Sequence, residues 1–253
     1  MEKLTALVPT LNEAAHIEEC LKSLRWADEL IVVDSHSEDD TVKIAGALAD
    51  RVELHPFESF AKQKNLCLRM ASHRWVLFVD ADERVTPALR DEIREVLSAP
   101  DRDGYWIRRK NHFLGKHMRG AGWGGDKVLR LFDGEKGDYP DRLVHEEVCL
   151  RGSAGALREP LLHYPYGDLE EYWEKFHRYA WLSAMELKNQ GRRGSVSSLL
   201  LRPPARFLRM YFMQMGFLDG VHGLLLSGLA AFQVYTKYAR LWELTHSNES
   251  GAR

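Results

Sequence analysis

Three acids close the run from Trp75 to Glu83, which is otherwise almost wholly apolar. An apolar run of this length, bounded by polar residues, is typical of a strand buried on both faces. Asp80 and Asp82 then lie at the carboxyl end of the strand, where open parallel sheets bind their ligands. A tight turn there can direct both aspartates at one cation. Glu83 is expected to be an ordinary turn acid.

Two other predicted strands also end in polar residues. Leu4 to Val8 is followed by the run Pro9 to Glu13, and Leu30 to Val33 is followed by Asp34. No Gly-x-Gly-x-x-Gly follows the first strand and no Walker loop is present, which argues against a dinucleotide-binding dehydrogenase and a P-loop enzyme. Acids at one rim of the sheet instead predict a site for a polar ligand and a hard cation, Mg²⁺ or Mn²⁺, that bridges phosphates.

These strand ends can share a rim only if the strands are parallel, and the pattern up to about Pro100 predicts that they are. Strands alternate there with amphipathic helices, which indicates an α/β fold with a doubly wound sheet. The strands are expected at Leu4 to Val8 (stopped by Pro9), Leu30 to Val33, Val52 to Leu54 and Trp75 to Val79, and the helices at about Glu13 to Arg25, from near Thr41, at about Gln63 to Ala71 and from Thr86.

Beyond Pro100 the pattern changes. Strands are expected at Gly104 to Arg109, Lys127 to Phe132 and around His145 to Leu150. A Gly-rich loop lies between the first two of them. A long helix is expected from Asp168, which resembles an N-cap, to about Gln190.

Composition restricts the class of protein. The chain has 253 residues, 45% of them hydrophobic, and a net charge of −2, which argues against a nucleic-acid partner. The three cysteines are far apart in sequence, without the spacing of a metal site or a disulfide framework, which suits a reducing cytoplasm. We expect no signal peptide, and no apolar run reaches the length of a spanning helix.

The C-terminal tail combines positive charge with apolar residues. Between Gly191 and Leu218 it carries five arginines and no acid, interleaved with leucines and aromatic residues. The apolar segment that follows, Gly220 to Tyr235, is too short to span a bilayer comfortably. Such a segment is typical of a surface that lies on an anionic membrane. The alternative is a helical pair that packs on the main domain or on another subunit.

Four motifs of the first hundred residues resemble those of the family 2 glycosyltransferases. They are Pro9-Thr10-Leu11-Asn12-Glu13, Val32-Val33-Asp34-Ser35, Lys62-Gln63-Lys64-Asn65 and Phe78-Val79-Asp80-Ala81-Asp82-Glu83. The resemblance implies the GT-A fold, a Rossmann-like doubly wound mixed sheet, and inverting transfer from a nucleotide-diphosphate sugar.

The second half resembles a branch that includes bacterial lipopolysaccharide inner-core β-1,4-glucosyltransferases. The similar segments are Asp126-Lys127-Val128-Leu129-Arg130-Leu131-Phe132, Val144-His145-Glu146, Leu162-His163-Tyr164 and Gly216-Phe217-Leu218-Asp219-Gly220. The branch implies a saccharide acceptor that is linked to lipid.

The resemblance also implies roles for single residues in donor binding. Pro9, Thr10 and Glu13 would line the nucleoside pocket, and Asp34 would reach the base or the ribose. Lys64 stands where the family commonly has Arg beside Asn. Its ammonium keeps the charge that pairs with the diphosphate but loses the bidentate fork of a guanidinium.

The resemblance implies metal binding for two residues, and a third is a candidate. Asp80 would contact the ribose and the metal, and Asp82 would bind the metal directly. His163, which precedes Tyr164-Pro165, could return to the cation as a third ligand, or it could be a semi-buried histidine with a structural hydrogen bond.

Inverting transfer needs one carboxylate to take the proton of the acceptor hydroxyl. Glu146 is the first candidate, because it lies where the family shows a Glu-Asp pair. Here the pair is His145-Glu146, and this departure leaves Asp126 and Asp141 as alternatives. Glu146 could also be a salt-bridge partner of a nearby arginine.

The sequence therefore predicts a metal-dependent hexosyltransferase at the cytoplasmic face of an inner membrane, moving glucose from UDP-glucose to a lipopolysaccharide core. We expect a catalytic domain over residues 1–165, with a nucleotide-sugar half (1–100) and an acceptor half (101–165). A helical extension follows over residues 166–253. Transfer to a polyprenyl phosphate and a nucleotide-sugar-binding subunit without activity are the alternatives.

Overall fold

The computed structural model describes residues 1–140 and 147–246, except for the side chain of Glu174. The described strands are β1 (Leu4–Thr10), β2 (Glu29–Asp34), β3 (Arg51–Leu54), β4 (Trp75–Phe78), β5 (Glu83–Arg84), β6 (Gly104–Phe113), β7 (Lys116–His117), β8 (Lys127–Asp133), β9 (Gly137–Asp138), β10 (Cys149–Leu150), β11 (Ala154–Ala156) and β12 (Leu161–Tyr166). The helices are α1 (Ile17–Leu24), α2 (Thr41–Leu48), α3 (Phe60–Met70), α4 (Pro87–Ser98), α5 (Leu169–Asn189), α6 (Val196–Leu208) and α7 (Val221–His246), with a π-helical turn at Arg209–Met213 and a 3₁₀ turn at Gly216–Asp219.

The main sheet is mixed, in the order β3-β2-β1-β4-β8-β6-β12-β5. Strands β1 to β4 are parallel, whereas β8 runs antiparallel to both β4 and β6. From β1 the chain adds β2 and β3 on one side and then returns to place β4 on the other. This reversal of strand order forms a crevice at the carboxyl ends of β1 and β4, the usual ligand site of such sheets. The predicted α/β fold with a doubly wound mixed sheet is confirmed.

Strand β4 is buried on both faces, as its apolar run predicts. Trp75 and Leu77 pack in one apolar cluster with residues of α1 and α4. Val76 and Phe78 point to the opposite face, where they pack with Ala61 of α3 and other residues. The strand is therefore held in a fixed position, and so is the start of the acidic turn that follows it.

Two predicted boundaries at the N-terminus were wrong. Strand β1 continues through Pro9 to Thr10, and both residues pair with β2. Pairing with β4, on the other side of β1, ends at Leu7. The side of Pro9 that lacks an N–H therefore has no ladder to complete. Helix α1 begins at Ile17 rather than at Glu13.

The chain divides into two compact units. The first comprises Met1–Lys110 and Asp126–His163, and the second comprises Asn111–Gly125 and the described chain from Tyr164 onward. The domain boundary at residue 165 stays a prediction.

The second unit is mainly helical and has its own apolar cluster. Asp168 caps α5 by accepting a hydrogen bond from the Glu171 N–H (2.9 Å), which confirms the predicted helix start. Phe113, Phe176 and Leu226 are among the buried residues of the cluster. None of the described helices has the length and apolar character needed to cross a bilayer.

Candidate functional site

The acidic turn after β4 folds back on itself. The backbone N–H of Asp80 donates to Glu83 Oε2 (2.9 Å), and the backbone N–H of Glu83 donates to the carbonyl oxygen of Asp80 (2.9 Å). Glu83 then begins β5, which pairs with β12. The turn thus places the carboxylates of residues 80, 82 and 83 within one small region at the switch point of the sheet, the crevice at the carboxyl ends of β1 and β4.

Arg130 joins two of these acids. It lies on β8, the strand next to β4, and its guanidinium forms an ion pair with Asp80 through both terminal nitrogens. The Arg130 Nη2 atom also donates to Glu83 Oε1 (3.0 Å). Burial disfavours its charge, but Asp80 and Glu83 outweigh that effect and raise the Arg130 pKa, so the guanidinium stays charged.

The prediction for Glu83 was wrong, because this residue is not an ordinary turn acid. Its side chain is fully buried, at 0% exposure, and accepts hydrogen bonds from the Asp80 backbone and from Arg130. Arg109 of β6 also reaches it, at 3.5 Å. A buried carboxylate is tolerated only when cations and N–H groups satisfy it, and both of its guanidinium partners come from other strands, distant in sequence.

Lys64 of α3 brings a second cation to Asp80. Its Nζ atom lies 3.8 Å from Asp80 Oδ1 and 5.4 Å from the centre of the Tyr139 ring. Burial opposes ionisation of Asp80, but Arg130 and Lys64 outweigh it and hold the Asp80 pKa well below its usual range. Asp80 is therefore a carboxylate at neutral pH, in a site with two buried cations.

Asp82 and His163 lie side by side in the first unit. The strand register places His163 opposite Glu83, and its Nε2 atom lies 3.5 Å from Asp82 Oδ2. Both side chains are 14% exposed. Burial lowers the His163 pKa, but Asp82 and Glu83 outweigh that effect, so its pKa lies above the usual value.

These groups fit a divalent cation. Carboxylate oxygens and an imidazole nitrogen are ordinary ligands for such ions, and Asp82 and His163 present one of each within 3.5 Å. Asp80 contributes a second carboxylate two residues away. Asp80 is paired with the guanidinium of Arg130 and the ammonium of Lys64, and Asp82 lies beside the imidazole of His163.

The ends of β1 and β2 bring two predicted donor-binding residues together. Thr10 pairs with Asp34 in the parallel ladder. The Thr10 hydroxyl is buried and has no hydrogen-bond partner within residues 1–140 and 147–246, so a ligand could satisfy it. The Asp34 carboxylate is fully buried and accepts hydrogen bonds from the Ser37 N–H (2.7 Å) and hydroxyl (2.5 Å). The Glu13 backbone N–H donates to Thr41 Oγ1 (2.8 Å), in the loop before α1.

Gln63 is a site residue to which the sequence reasoning assigned no role. Its amide donates to the carbonyl oxygens of Thr10 (3.3 Å) and Val33 (3.0 Å) and to Ser35 Oγ (2.8 Å). It thereby joins the ends of β1 and β2. Its place beside Lys64, within one motif, was the available signal.

Of the three candidates for the catalytic base, one lies within the described residues. Glu146 and Asp141 lie outside the described residues, so Glu146 stays a prediction. Asp126 is described, and its Oδ2 atom accepts hydrogen bonds from Arg109 at Nε and Nη2, each at 2.7 Å. This ion pair already gives Asp126 a structural role.

Replacement of Arg130 tests the buried charge network. Arg130→Met removes the nearer of the two guanidinium groups that contact the buried Glu83 in the described chain (3.0 Å, against 3.5 Å for Arg109), and we expect a loss of about 3 kcal/mol in the free energy of unfolding. Urea denaturation measures it. Arg90→Met is the control, because it removes an exposed ion pair with Asp91 (2.8 Å) and should leave the midpoint nearly unchanged. Equal midpoints for both variants would contradict the role given to Arg130.

Comparison with known proteins places this site in a family. The model of "Glycosyl transferase family 2" matches residues 5–161. "Lipopolysaccharide core biosynthesis glycosyltransferase LpsC" of Rhizobium meliloti is 31% identical and covers 93% of each chain. An "Uncharacterized glycosyltransferase" of Rickettsia felis is 29% identical over 96% of this chain and 90% of its own.

Solved structures support the same fold. The crystal structure of S. aureus TarS 1-349 in complex with UDP-GlcNAc superposes with a TM-score of 0.50 and 16% identity. The match covers 98% of this chain and 92% of that one. At this identity the likeness bears on the fold alone. The family match over residues 5–161 and the relative at 31% identity lead to one conclusion: the chain belongs to glycosyl transferase family 2 and is a glycosyltransferase.

Proposed function

We propose that the chain is a metal-dependent inverting glycosyltransferase that moves glucose from UDP-glucose to a lipid-linked saccharide, a lipopolysaccharide inner core. One observation carries the proposal: the acidic turn after β4 places Asp80 and Asp82 at the switch point of the sheet, beside Arg130, Lys64 and His163. A set of carboxylates and buried cations at this position suits a nucleoside diphosphate with its metal.

The proposed metal ligands are Asp82 and His163, together with Asp80, whose carboxylate would exchange part of its pairing with Arg130 and Lys64 for the metal. Mg²⁺ or Mn²⁺ would neutralise charge on the departing diphosphate. Lys64 would exchange part of its interaction with Asp80 for the donor phosphates. Pro9, Thr10, Glu13 and Asp34 are proposed for the nucleoside, and the unsatisfied Thr10 hydroxyl supports that assignment.

The transfer itself is a single in-line displacement. The acceptor hydroxyl attacks the anomeric carbon from the face opposite the diphosphate, the bond to the phosphate oxygen breaks, and the configuration inverts. Glu146 is proposed to take the proton of that hydroxyl as it attacks. Because no covalent enzyme intermediate forms, one carboxylate base is sufficient.

The comparisons support a UDP-sugar as donor and a lipopolysaccharide core as acceptor. LpsC is named for lipopolysaccharide core biosynthesis, and the TarS structure holds a UDP-sugar. We extend both properties to this chain as proposals. A lipid-linked core acceptor would place the enzyme at the cytoplasmic face of an inner membrane, as a peripheral protein.

A deletion strain tests the proposed function. Mass spectrometry of its lipopolysaccharide core should find the loss of one hexose. Wild-type protein expressed from a plasmid should restore this hexose. Extracts that contain the wild-type protein should add the hexose in vitro, and treatment with a chelator should abolish this addition. An unchanged core together with an altered polyprenyl-linked sugar would favour the polyprenyl phosphate as acceptor. Binding of UDP-glucose without turnover, with Mg²⁺ or Mn²⁺ present, would favour a binding subunit and overturn the proposal.

A further inference from the structure

The connection between α6 and α7 exposes a concentration of apolar side chains. The two helices run antiparallel, since Leu199 near the start of α6 packs with Tyr238 and Leu241 near the end of α7. We call residues 212–225, at the turn between them, the hairpin tip. Its exposed large apolar side chains are Phe212 (55%), Met213 (78%), Met215 (56%), Phe217 (47%), Leu218 (61%), Val221 (67%), Leu224 (45%) and Leu225 (40%). Water-exposed apolar groups in this density mark an interaction surface.

The backbone under these side chains is tightly packed. A Cβ on Gly223 would lie 1.8 Å from the carbonyl oxygen of Gly216, and a Cβ on Gly120 would lie 2.2 Å from that of Met215. Met215 itself has a positive φ of 56°. A turn fixed in this way cannot fold its apolar side chains inward without losing these contacts, so their exposure is built into the fold.

The structure also removes negative charge from this surface. Asp219 is the one acid between residues 192 and 242. It is 1% exposed, and its carboxylate accepts hydrogen bonds from the backbone N–H groups of Arg119 (3.1 Å) and Gly120 (2.7 Å). Its carboxylate is thus held inside the unit by backbone hydrogen bonds, while the side chain of Arg119 is exposed.

Exposed cations lie on α6 and on the turn that leads from it to the tip. Arg202, Arg206 and Arg209 are all exposed. Burial and the neighbouring Arg209 lower the pKa of Arg206, and burial together with Arg202 and Arg206 lowers that of Lys237. Burial is the larger cause in each case and repulsion by neighbouring cations adds to it; Glu186 opposes the shift in the pKa of Lys237, so this repulsion is only partly offset within the unit. A surface of phosphates would relieve it.

These charges also discriminate between partners. If a second copy covered the tip across a two-fold axis, each copy would present the same patch, and the arginines of both would face one another. An anionic lipid surface instead neutralises the arginines and accepts the apolar side chains. The charge therefore favours lipid over self-association.

We propose that the hairpin tip inserts its apolar side chains into the boundary between headgroups and acyl chains of an anionic membrane, while Arg202, Arg206 and Arg209 bind lipid phosphates. The inference rests on the proposed function, whose acceptor is lipid-linked. It deepens that function by assigning the membrane contact to named side chains.

Vesicle flotation of the full chain, without donor or acceptor, tests the apolar part. Wild-type protein should float with vesicles that contain phosphatidylglycerol. Met213→Ser combined with Leu218→Ser should weaken partitioning on the order of tenfold or more, since two apolar side chains leave the interface. Leu54→Ser, in the first unit, replaces another exposed leucine (49%) and should float like wild type. Equal flotation of the double variant and wild type would overturn the proposal.

The charged part has a separate readout. Replacing Arg202, Arg206 and Arg209 by Gln should weaken binding to phosphatidylglycerol vesicles on the order of 10²-fold and abolish the preference over phosphatidylcholine. Thermal melting checks that both variants stay folded. If light scattering instead finds a dimer that Met213→Ser with Leu218→Ser dissociates, the tip is a self-association surface and the proposal fails.

Turnover separates this inference from the proposed function. With acceptor dispersed in detergent, both variants should transfer sugar at the wild-type rate. Wild-type turnover without vesicle binding would overturn the membrane inference and leave the function standing. Vesicle binding without turnover of any UDP-hexose would overturn the function and leave the membrane contact standing.

Discussion

Asp82→Asn is expected to lower kcat/KM on the order of 10³-fold, because it removes the carboxylate that we propose as the direct metal ligand and charge neutralisation by a metal accounts for several kcal/mol of the barrier. The side chain keeps its size, so the fold should persist. Steady-state assays with UDP-glucose across a Mn²⁺ titration measure the loss. Excess Mn²⁺ should not restore the wild-type rate.

The pair with His163 gives Asp82→Asn a second, independent readout. Asp82 raises the pKa of His163, so the variant should titrate His163 at lower pH in an NMR experiment. The pKa of His163 is higher in the folded protein than in the unfolded chain, where it is about 6.5. The ion pair with Asp82 therefore stabilises the fold fully at pH values below about 6.5, and this stabilisation is lost as the pH rises through the pKa of His163 in the folded protein. At alkaline pH, Asp82→Asn should therefore melt like wild type.

An exposed acid supplies the control. Asp91→Asn, on α4, should change neither turnover nor the titration of His163, since the exposed Asp91 carboxylate forms an ion pair with Arg90 on the same helix. If Asp82→Asn retained wild-type turnover while the His163 titration moved as expected, the residue would be a structural partner of His163. The metal role would then be wrong.

Glu146→Gln is expected to lower kcat about 10²–10⁴-fold, the usual range for removal of a general base. Donor binding should be unchanged, because the proposed nucleoside and diphosphate contacts lie on other residues. Calorimetric titration with UDP-glucose and a single-turnover assay separate the two quantities. A large loss of donor affinity would exclude Glu146 as the base.

The two alternatives to Glu146 have distinct signatures. Asp141→Asn should reproduce the wild-type rate if Glu146 is the base. Asp126→Asn breaks the 2.7 Å ion pair with Arg109, so its expected effect is a lower melting temperature with kcat less affected. If the variant of Asp141 or Asp126 had a lower kcat with an unchanged melting temperature, and Glu146→Gln stayed active, that residue would be the catalytic base.

Local patterns were sufficient for much of the fold. The apolar run from Trp75 predicted β4 because a strand buried on both faces needs apolar side chains at every position. Asp168 predicted the start of α5 because a cap acts within one turn of helix. Pro9 misled the same reasoning, since a proline ends a strand only where its missing N–H would meet a neighbour.

The arrangement of charges at the site depended on the sheet instead. Nothing local distinguishes Glu83 from a solvated turn acid, because its partners Arg130 and Arg109 come from strands β8 and β6. Likewise, the 3.5 Å approach of Asp82 to His163 follows from the register of β5 with β12. Such pairings join residues far apart along the chain, so no short-range periodicity encodes them.

The sequence by itself therefore determined which residue types stand at the strand ends, and through four motifs it determined the family. Only the tertiary structure decided that Asp80 shares its charge with Arg130 and Lys64, and that Asp219 is buried beneath an exposed apolar tip. The physical reason is range. Helix capping and strand burial act over a few residues, whereas the free energy of a buried charge depends on whichever side chains the folded chain brings beside it.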